Sequence, residues 1–126
     1  MQVNDPAVIA ELAGLYPAYE KALITNDLDT LTKFFWESSL ATRFGASENL
    51  HGFQEIARFR QTRPASNLAR TIRRLDIVTF GADHGQITLE FERTLEGRTV
   101  YGRQSQSWVR FPEGWRIVSA HVSLLP

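Results

Sequence analysis

Arg43 is the first residue whose type suggests chemistry, because it places a permanent cation inside TRFGASENLHG (residues 42–52), beside apolar neighbours. An arginine fork binds carboxylates bidentately, so Arg43 is a candidate clamp for a substrate carboxylate and for negative charge that develops during a reaction. The alternative is a structural salt bridge to Glu48 or Glu90, since an arginine near a core is costly unless it is paired. Glu48 and Asn49 follow in the next loop, where they either order that loop or contact a ligand.

A polar strand supplies the second set of candidates. In GRQSQSW (residues 102–108) one side of the strand carries Gln104 and Gln106, and the other carries Ser105 and Ser107. Polar groups on a covered strand need partners, so one of these rows is either a ligand-binding wall or part of a wet subunit contact. The glutamines are the better candidates for the wall, because amides both donate and accept hydrogen bonds and thus suit a urea or a carboxylate.

The arginines are unusually numerous, with twelve against two lysines. Five of those in the third predicted helix and the strand after it form a loose basic cluster, and we expect a solvated or dimer-facing patch there. The functional alternative is that these arginines form a positively charged entrance that attracts a dianionic substrate. These residues are Arg60, Arg63, Arg70, Arg73 and Arg74.

Other common catalytic patterns find no support. His51, His84 and His121 are far apart and show no metal-ligand spacing, so we expect no metal site. Phosphate-binding glycine loops and the Gly-x-Ser-x-Gly elbow are also absent from the sequence, so we expect no nucleotide cofactor and no serine nucleophile.

The elements that would position these residues are readable from periodicity. Residues 4–27 begin with Asp5 as a cap and Pro6 in the first turn, and apolar residues, Tyr19 among them, recur at helical spacing. A buried tyrosine such as Tyr19 usually fills the core and bonds its hydroxyl to a neighbour. A second helix follows Asn26 or Asp27, a short strand covers SLATRFG, ENLHG is a loop, and a third helix ends before Pro64.

The second half of the chain changes to long β-rich runs. Turn signals at FGADHG, LEGR and FPEGW divide four strands and predict an antiparallel meander. The expected fold class is α+β, with a cone-shaped curved antiparallel sheet wrapped around the long N-terminal helix, in a single domain over residues 1–126. The inner wall of such a cone is a natural ligand pocket.

The last strand favours a homodimer. Alternation places Trp115, Ile117, Ser119 and His121 on one face and the residues between them on the other. Both faces are then largely apolar, so one should cover the helices and the other should meet a second copy of the chain.

Composition limits the remaining classes of function. The 126 residues carry no net charge, which weakens any general attraction to nucleic acid or an anionic membrane. No cysteine, no membrane-length apolar run and no signal-peptide pattern occurs, so a cytoplasmic protein is expected.

Two long stretches carry a resemblance to a known family. NDPAVIAELAGLYPAYEKALITNDLDTLTKFFWESSLATRFGASENLHG and GRQSQSWVRFPEGWRIVSAHVSLL resemble the AtzH-like proteins. That family includes oxalurate-catabolism proteins and lies within the SnoaL-like, nuclear-transport-factor-2-like superfamily, whose fold is cystatin-like. The resemblance covers essentially the whole chain and agrees with the expected cone.

The resemblance also implies an activity, namely a decarboxylating amidohydrolase that acts on 1,3-dicarboxyurea-type substrates in ureide and cyanuric acid degradation. The family's proposed catalytic pair corresponds to Tyr19 and Arg43. Tyr19 would donate a proton to the leaving nitrogen or to the carbamate as carbon dioxide departs, and a nearby Arg43 would lower the pKa of the Tyr19 hydroxyl. Gln104, Gln106, Glu48 and Asn49 would bind the small anionic substrate.

Two other functions stay open. The first is a non-catalytic binding protein that accompanies an amidase of the same pathway. The second is an isomerase or cyclase acting on an apolar substrate, for which Glu90 is the nearest candidate base.

Overall fold

The computed structural model describes residues 1–65 and 68–126, which form an α+β structure around one curved sheet. The helices are α1 (Pro6–Thr25), α2 (Leu28–Phe34) and α3 (Phe53–Thr62). The strands are β1 (Thr42–Phe44), β2 (Asn49–His51), β3 (Thr71–Phe80), β4 (His84–Leu95), β5 (Arg98–Phe111) and β6 (Gly114–Leu124). The predicted fold class is therefore confirmed.

Helix α1 forms as its sequence predicts. The Asp5 carboxylate accepts a hydrogen bond from the Ala7 amide, and Pro6 occupies the first turn, where its missing N–H is not needed. At the other end Asn26 adopts a left-handed conformation, with φ of 55°, and its amide reaches back to the last turn. The buried stripe is Val8, Leu12, Tyr16, Tyr19, Ala22 and Leu23, so the helix turns Tyr19 toward the sheet.

The four long strands form the predicted meander. Strands β3 to β6 pair antiparallel in chain order, and the β4–β5 turn uses Glu96 and Gly97, both with positive φ. Two such residues in a two-residue loop match the twist of the flanking strands, which explains the tight hairpin between Leu95 and Arg98.

The other edge of the sheet differs from the sequence-based expectation in two ways. Strand β1 pairs with β6 in parallel, and the long stretch of chain from β2 to β5 that separates the two strands permits this direction. The segment expected to be a loop at ENLHG contains strand β2, which pairs antiparallel with β1. The full strand order is β2-β1-β6-β5-β4-β3.

A β-bulge in β6 corrects the expected side-chain alternation. Ser107 pairs with Ser119 and Trp108 pairs with Ile117, so Val118 is an extra residue on β6. The insertion reverses the alternation beyond it: Trp115 and Ile117 are buried, but so is Ala120, while Ser119 and His121 are exposed. The outer face near Ser119 is consequently polar and not apolar, which removes the argument for a dimer that rested on an apolar face.

The core lies between α1 and the inner face of the sheet. Leu12, Ile87, Trp108 and Ile117 have no exposed surface. The Tyr19 ring packs edge-on against Trp108, with ring centres 6.5 Å apart. None of the helices within the described ranges is long and apolar enough to cross a membrane.

Candidate functional site

A cavity of about 410 Å³ lies where α1, the β1–β2 hairpin, the end of α3 and strands β4 to β6 meet. Its volume is within the usual range for small-molecule sites. Apolar walls come from Leu23, Phe59, Phe91 and Leu124, and the polar lining consists of Tyr19, Arg43, Glu48, Arg63, Arg70, Arg93 and Gln104. The structure thus brings Tyr19 and Arg43 together from a helix and a strand that are distant in sequence.

The Tyr19 hydroxyl is held by an arginine that the sequence did not single out for this role. Arg60 Nη2 donates a hydrogen bond to the Tyr19 hydroxyl oxygen at 3.0 Å, and Tyr19 itself is only 2 % exposed. Among the described residues the hydroxyl has no acceptor, so its own proton remains available to a molecule in the cavity.

The electrostatic surroundings favour the phenolate form of Tyr19. Burial alone would raise its pKa, but the positive charges of Arg60 and Arg43 and the Arg60 hydrogen bond outweigh burial. The pKa of Tyr19 therefore lies below the ordinary tyrosine value. The neighbouring Tyr16 shows the reverse, since burial and the charge of Glu20 raise its pKa.

Arg43 is paired with Glu48, which is one of the two structural partners expected from the sequence. Its Nη1 donates to Glu48 Oε1 at 2.9 Å, and its guanidinium lies 5.4 Å from the centre of the Phe59 ring. Burial and the like charge of Arg60 lower the pKa of Arg43, although the ion pair with Glu48 opposes this. Because only Nη1 is engaged with Glu48, Arg43 retains donors for a second anion.

Arg63 extends the positive charge to the end of α3. Its Nη2 donates to Asn26 Oδ1 at 3.5 Å, and it lines the cavity. Burial, together with the charges of Arg60 and Arg43, lowers the pKa of Arg63 to about 10. Like charges that depress one another in a partly enclosed space are relieved when an anion binds among them.

Gln104 and Arg70 belong to a network on the opposite wall. Arg70 donates to both oxygens of Glu20, at 2.9 and 2.8 Å, and to Gln104 Oε1 at 2.9 Å. Gln104 Nε2 donates in turn to the Tyr16 hydroxyl at 3.0 Å. Gln104 therefore lines the cavity as expected, but each end of its amide already has one protein partner.

Two predicted binding residues are not brought to this cavity. Gln106 is buried further along β5, outside the lining, and its amide oxygen accepts from the Trp108 indole at 3.0 Å. Asn49 is exposed on β2, where alternation turns it away from the cavity. Glu90, the base needed by the isomerase alternative, is exposed on β4 and also lies outside the lining.

The arginine cluster divides into two groups, which corrects the expected solvated patch. Arg60 is 1 % exposed, and Arg63 and Arg70 line the cavity. Arg73 and Arg74 lie on the outside of β3, where they pair with Glu92 and Asp76 in exposed ion pairs. The signal that could have found Arg60 is its position four residues after Ile56, on the apolar side of α3.

The site as a whole is suited to an anion. In the described part of the chain four arginines line the cavity and Arg60 lies behind Tyr19, whereas the adjoining carboxylates are Glu48 and Glu20. The same part of the chain contains no group of three or more His, Cys, Asp or Glu residues suited to a metal ion. The available chemistry is therefore carboxylate binding by arginine and proton transfer by a buried phenol.

Solved structures with the same fold define the class of protein. A protein of unknown function from the DUF3225 family of Pectobacterium atrosepticum is 47 % identical, with a TM-score of 0.94, and the match covers 98 % of this chain and 95 % of that one. A cystatin-like fold protein from Burkholderia xenovorans is 35 % identical, with a TM-score of 0.91 and coverage of 100 % and 99 %. A nuclear transport factor 2-like protein from Salmonella enterica is 24 % identical, with a TM-score of 0.75 and coverage of 94 % and 91 %.

The protein thus has the cystatin-like, nuclear-transport-factor-2-like fold. The model of the AtzH-like family matches residues 1–126, and the chain belongs to that family. No curated protein matches the sequence.

Proposed function

We propose that the protein is a decarboxylating amidohydrolase that acts on a small anionic N-carboxylated urea of the 1,3-dicarboxyurea type. The observation that carries this proposal is the buried Tyr19 hydroxyl, bonded by Arg60, at the wall of a cavity where arginines outnumber carboxylates. Membership of the AtzH-like family supports the same substrate class.

Binding would use the two ends of the cavity. Arg43 and Arg63 offer guanidinium donors at one wall, and Arg70 and Gln104 offer donors at the other. A urea that bears a carboxylate at each end presents one anion to the donors of each wall, while its central N–H and C=O groups need only neutral partners. Gln104 would serve the urea edge through the amide hydrogen and lone pair that its bonds to Tyr16 and Arg70 leave open.

The reaction step needs a proton at the nitrogen that loses its carboxylate. The bond between that nitrogen and the carboxylate carbon breaks, its electron pair passes to nitrogen, and carbon dioxide leaves. Hydration of this carbon dioxide to bicarbonate makes the net change a hydrolysis of the carbon–nitrogen bond. Tyr19 donates its proton to the nitrogen, becomes a phenolate beside Arg60, and then takes a proton from solvent. Arg43 binds a carboxylate so that the breaking bond lies next to the phenol.

The first test replaces Tyr19 with phenylalanine and follows carbon dioxide release from 1,3-dicarboxyurea. Loss of a general acid lowers rates by about 10² to 10⁴, so we expect Tyr19→Phe to lower kcat at least ~100-fold. Tyr101→Phe is the matched control, since Tyr101 is 44 % exposed on the outside of β5, and it should retain parental activity. A folded Tyr19→Phe enzyme with the parental rate would end the proposal.

The second test is Arg43→Ala, with Arg98→Ala in the exposed β4–β5 turn as the control. A charge-assisted hydrogen bond contributes about 1.5 to 3 kcal/mol, so we expect KM to rise roughly 10- to 100-fold in Arg43→Ala. An unchanged KM in a folded Arg43→Ala protein would show that Arg43 does not bind the substrate.

A non-catalytic binding or accessory protein is the second candidate. It is favoured by the ion pair between Arg43 and Glu48, which accounts for a buried arginine without any substrate. Recovery of a stoichiometric amidase in a pulldown, with no turnover by the isolated protein, would support this candidate over the enzyme.

A further inference from the structure

Arg60 is a buried guanidinium whose observed side-chain hydrogen bond goes to Tyr19. It is 1 % exposed on α3, its Nη2 donates to the Tyr19 hydroxyl, and its guanidinium lies 5.4 Å from the centre of the Phe35 ring. In the described ranges its Nε and Nη1 have no hydrogen-bond partner. This is the most deeply buried charge of the site, and it lies behind the tyrosine and not in the cavity lining.

Burying such a charge costs desolvation free energy, which is a large penalty for a small protein. The ion pairs within the described part of the chain do not include Arg60, so no carboxylate there offsets its desolvation. Even a buried charge that has an ion-pair partner can often be replaced, together with that partner, by apolar residues without loss of stability. Packing alone therefore does not account for an arginine at this position.

We propose that Arg60 is a positioning residue that fixes the Tyr19 hydroxyl oxygen and supports the negative charge formed there when the proton leaves. The role of that charge in catalysis rests on the function proposed above, whereas the contact between Arg60 and Tyr19 does not. Because Arg60 occupies a lone pair of the oxygen, the hydroxyl hydrogen is directed away from Arg60 and is available to the cavity.

The charged groups around Tyr19 favour Arg60 over the other arginines in this role. Arg43 faces Tyr19 from β1 but is paired with Glu48, and Arg70 faces it from the segment before β3 but is paired with Glu20. Arg63 interacts electrostatically with Tyr19 from the end of α3, and Tyr16 is the titratable neighbour on α1 itself. Arg60 alone among these donates directly to the phenol oxygen.

The experiment is a pH titration of the tyrosine ring carbons by ¹³C NMR, using protein labelled at Cζ of its three tyrosines. Tyr19→Phe assigns the Tyr19 signal by its disappearance. We expect Tyr19 in the parent protein to titrate below pH 10, and Arg60→Met to move that titration upward by at least one pH unit, which is a tenfold change in the acid constant. Arg58→Met, at an exposed position on the same helix, is the matched control and should move it by less than a third of a unit.

Two results would overturn the proposal. One is a Tyr19 in the parent protein that titrates at or above the ordinary tyrosine value. This measurement needs no variant at Arg60. The other is a folded Arg60→Met protein whose Tyr19 titrates as in the parent. If Arg60→Met does not give a native spectrum, Arg60→Gln is titrated in its place with the same expectation, and Arg60→Lys should retain part of the low value.

Activity measurements distinguish a failure of the proposed role of Arg60 from a failure of the proposed function. With 1,3-dicarboxyurea as the substrate, Arg60→Met should lower kcat by tenfold or more and change KM by less than threefold, because Arg60 does not line the cavity. If the parent does not turn over this substrate, the proposed function fails, while the titration still decides whether Arg60 supports charge on Tyr19.

Discussion

At the scale of single residues, the site depends on how its buried charges are balanced. Tyr19, Arg43 and Arg60 come from three different elements, yet each alters the ionisation of another. Such coupling within a cavity is more often found at functional sites than in ordinary cores. It gives the site two measurable properties, a pH dependence and an anion affinity.

The pH dependence follows from the lowered pKa of Tyr19. A proton donor works only while protonated, so we expect kcat/KM to fall about tenfold per pH unit above that pKa, with the fall beginning below pH 10. A pH–rate profile measures this fall. The residual activity of Tyr19→Phe should not show it. A flat profile up to pH 10 would exclude Tyr19 as the donor.

The same shift predicts a trend in stability. Between its folded pKa and the ordinary value near 10, Tyr19 is deprotonated in the folded state but protonated in the unfolded state, so the free energy of unfolding gains a contribution that rises with pH. That contribution is absent at lower pH. Urea unfolding of the parent and of Tyr19→Phe, at neutral pH and at pH 9.5, measures this. The free energy of unfolding of the parent relative to that of the variant should increase with pH.

We expect Glu48 to compete with an external anion for Arg43. It accepts a hydrogen bond from Arg43 at 2.9 Å and also one from the Ser47 hydroxyl. Glu48→Gln removes the competing charge, and since a charge-assisted bond contributes about 1.5 kcal/mol, we expect the Kd of a dicarboxylate such as malonate to fall about tenfold by calorimetry. Unchanged or weaker binding would show that Glu48 orders the loop and does not compete with the ligand.

At the scale of elements, close packing between strands fixes the floor of the cavity. Gly102 on β5 lies against the Phe91 ring of β4, so a Cβ at Gly102 would collide with that ring. The Phe91 ring in turn lies 4.5 Å from the Arg70 guanidinium. The glycine thereby lets an aromatic ring lie flat beneath an arginine that lines the site.

We expect Gly102→Ala to lower the free energy of unfolding by about 1 to 3 kcal/mol, the usual range for overpacking. The ring must tilt, and Arg70 loses its contact, so malonate binding should weaken as well. Urea denaturation and calorimetry measure the two effects. Ser105→Ala, at an exposed position on the same strand, should change stability by less than ~0.5 kcal/mol; comparable loss in both variants would contradict the explanation.

At the scale of the whole molecule, a chain with no net charge concentrates cations in one cavity. The opposite charges are spread over the outside, in exposed pairs such as Arg74 with Asp76 and Arg110 with Asp83. Exposed pairs of this kind add little stability. The cavity is therefore the region where an added anion should have the largest effect.

A ligand that binds only the folded state stabilises it by an amount that grows with its concentration, about 2.7 kcal/mol at a hundred times Kd. We expect malonate to raise Tm by several degrees, and acetate at equal ionic strength to raise it much less. Arg63→Met should remove most of the difference between the two anions, while the exposed Arg74→Met should preserve it. Equal effects of malonate and acetate on the parent would indicate a general salt effect.

A homodimer stays a prediction, but the surface available for the contact on β6 is polar and not apolar. The bulge at Val118 places Ser119 and His121 on the outer face beside Ser105 of β5. A contact through this face would be the wet, hydroxyl-rich kind and not an apolar one. Light scattering of the parent and of Ser105→Arg tests both the assembly and the surface.

Local sequence determined most of the elements. Capping by Asp5 and Pro6, the apolar stripe of α1 and the turn at Glu96–Gly97 act between near neighbours, so the order of residues along the chain is enough to predict them. The presence of Tyr19 and Arg43 at one site is predicted from a family resemblance. Alternation divides β5 into two rows, and the Gln104 row is preferred as the ligand wall only because amides suit recognition; which row is buried is decided by the structure.

Only the tertiary structure decided the rest. A single extra residue at Val118 reverses the alternation of β6, and the parallel pairing of β1 with β6 joins segments that are far apart in the chain. Arg60 and Arg63 are expected at a surface because arginine is usually exposed, although the place of Arg60 on the Ile56 side of α3 is a signal for its burial. The bond between Arg60 and Tyr19 joins residues 41 positions apart in the chain, a separation that no local pattern encodes.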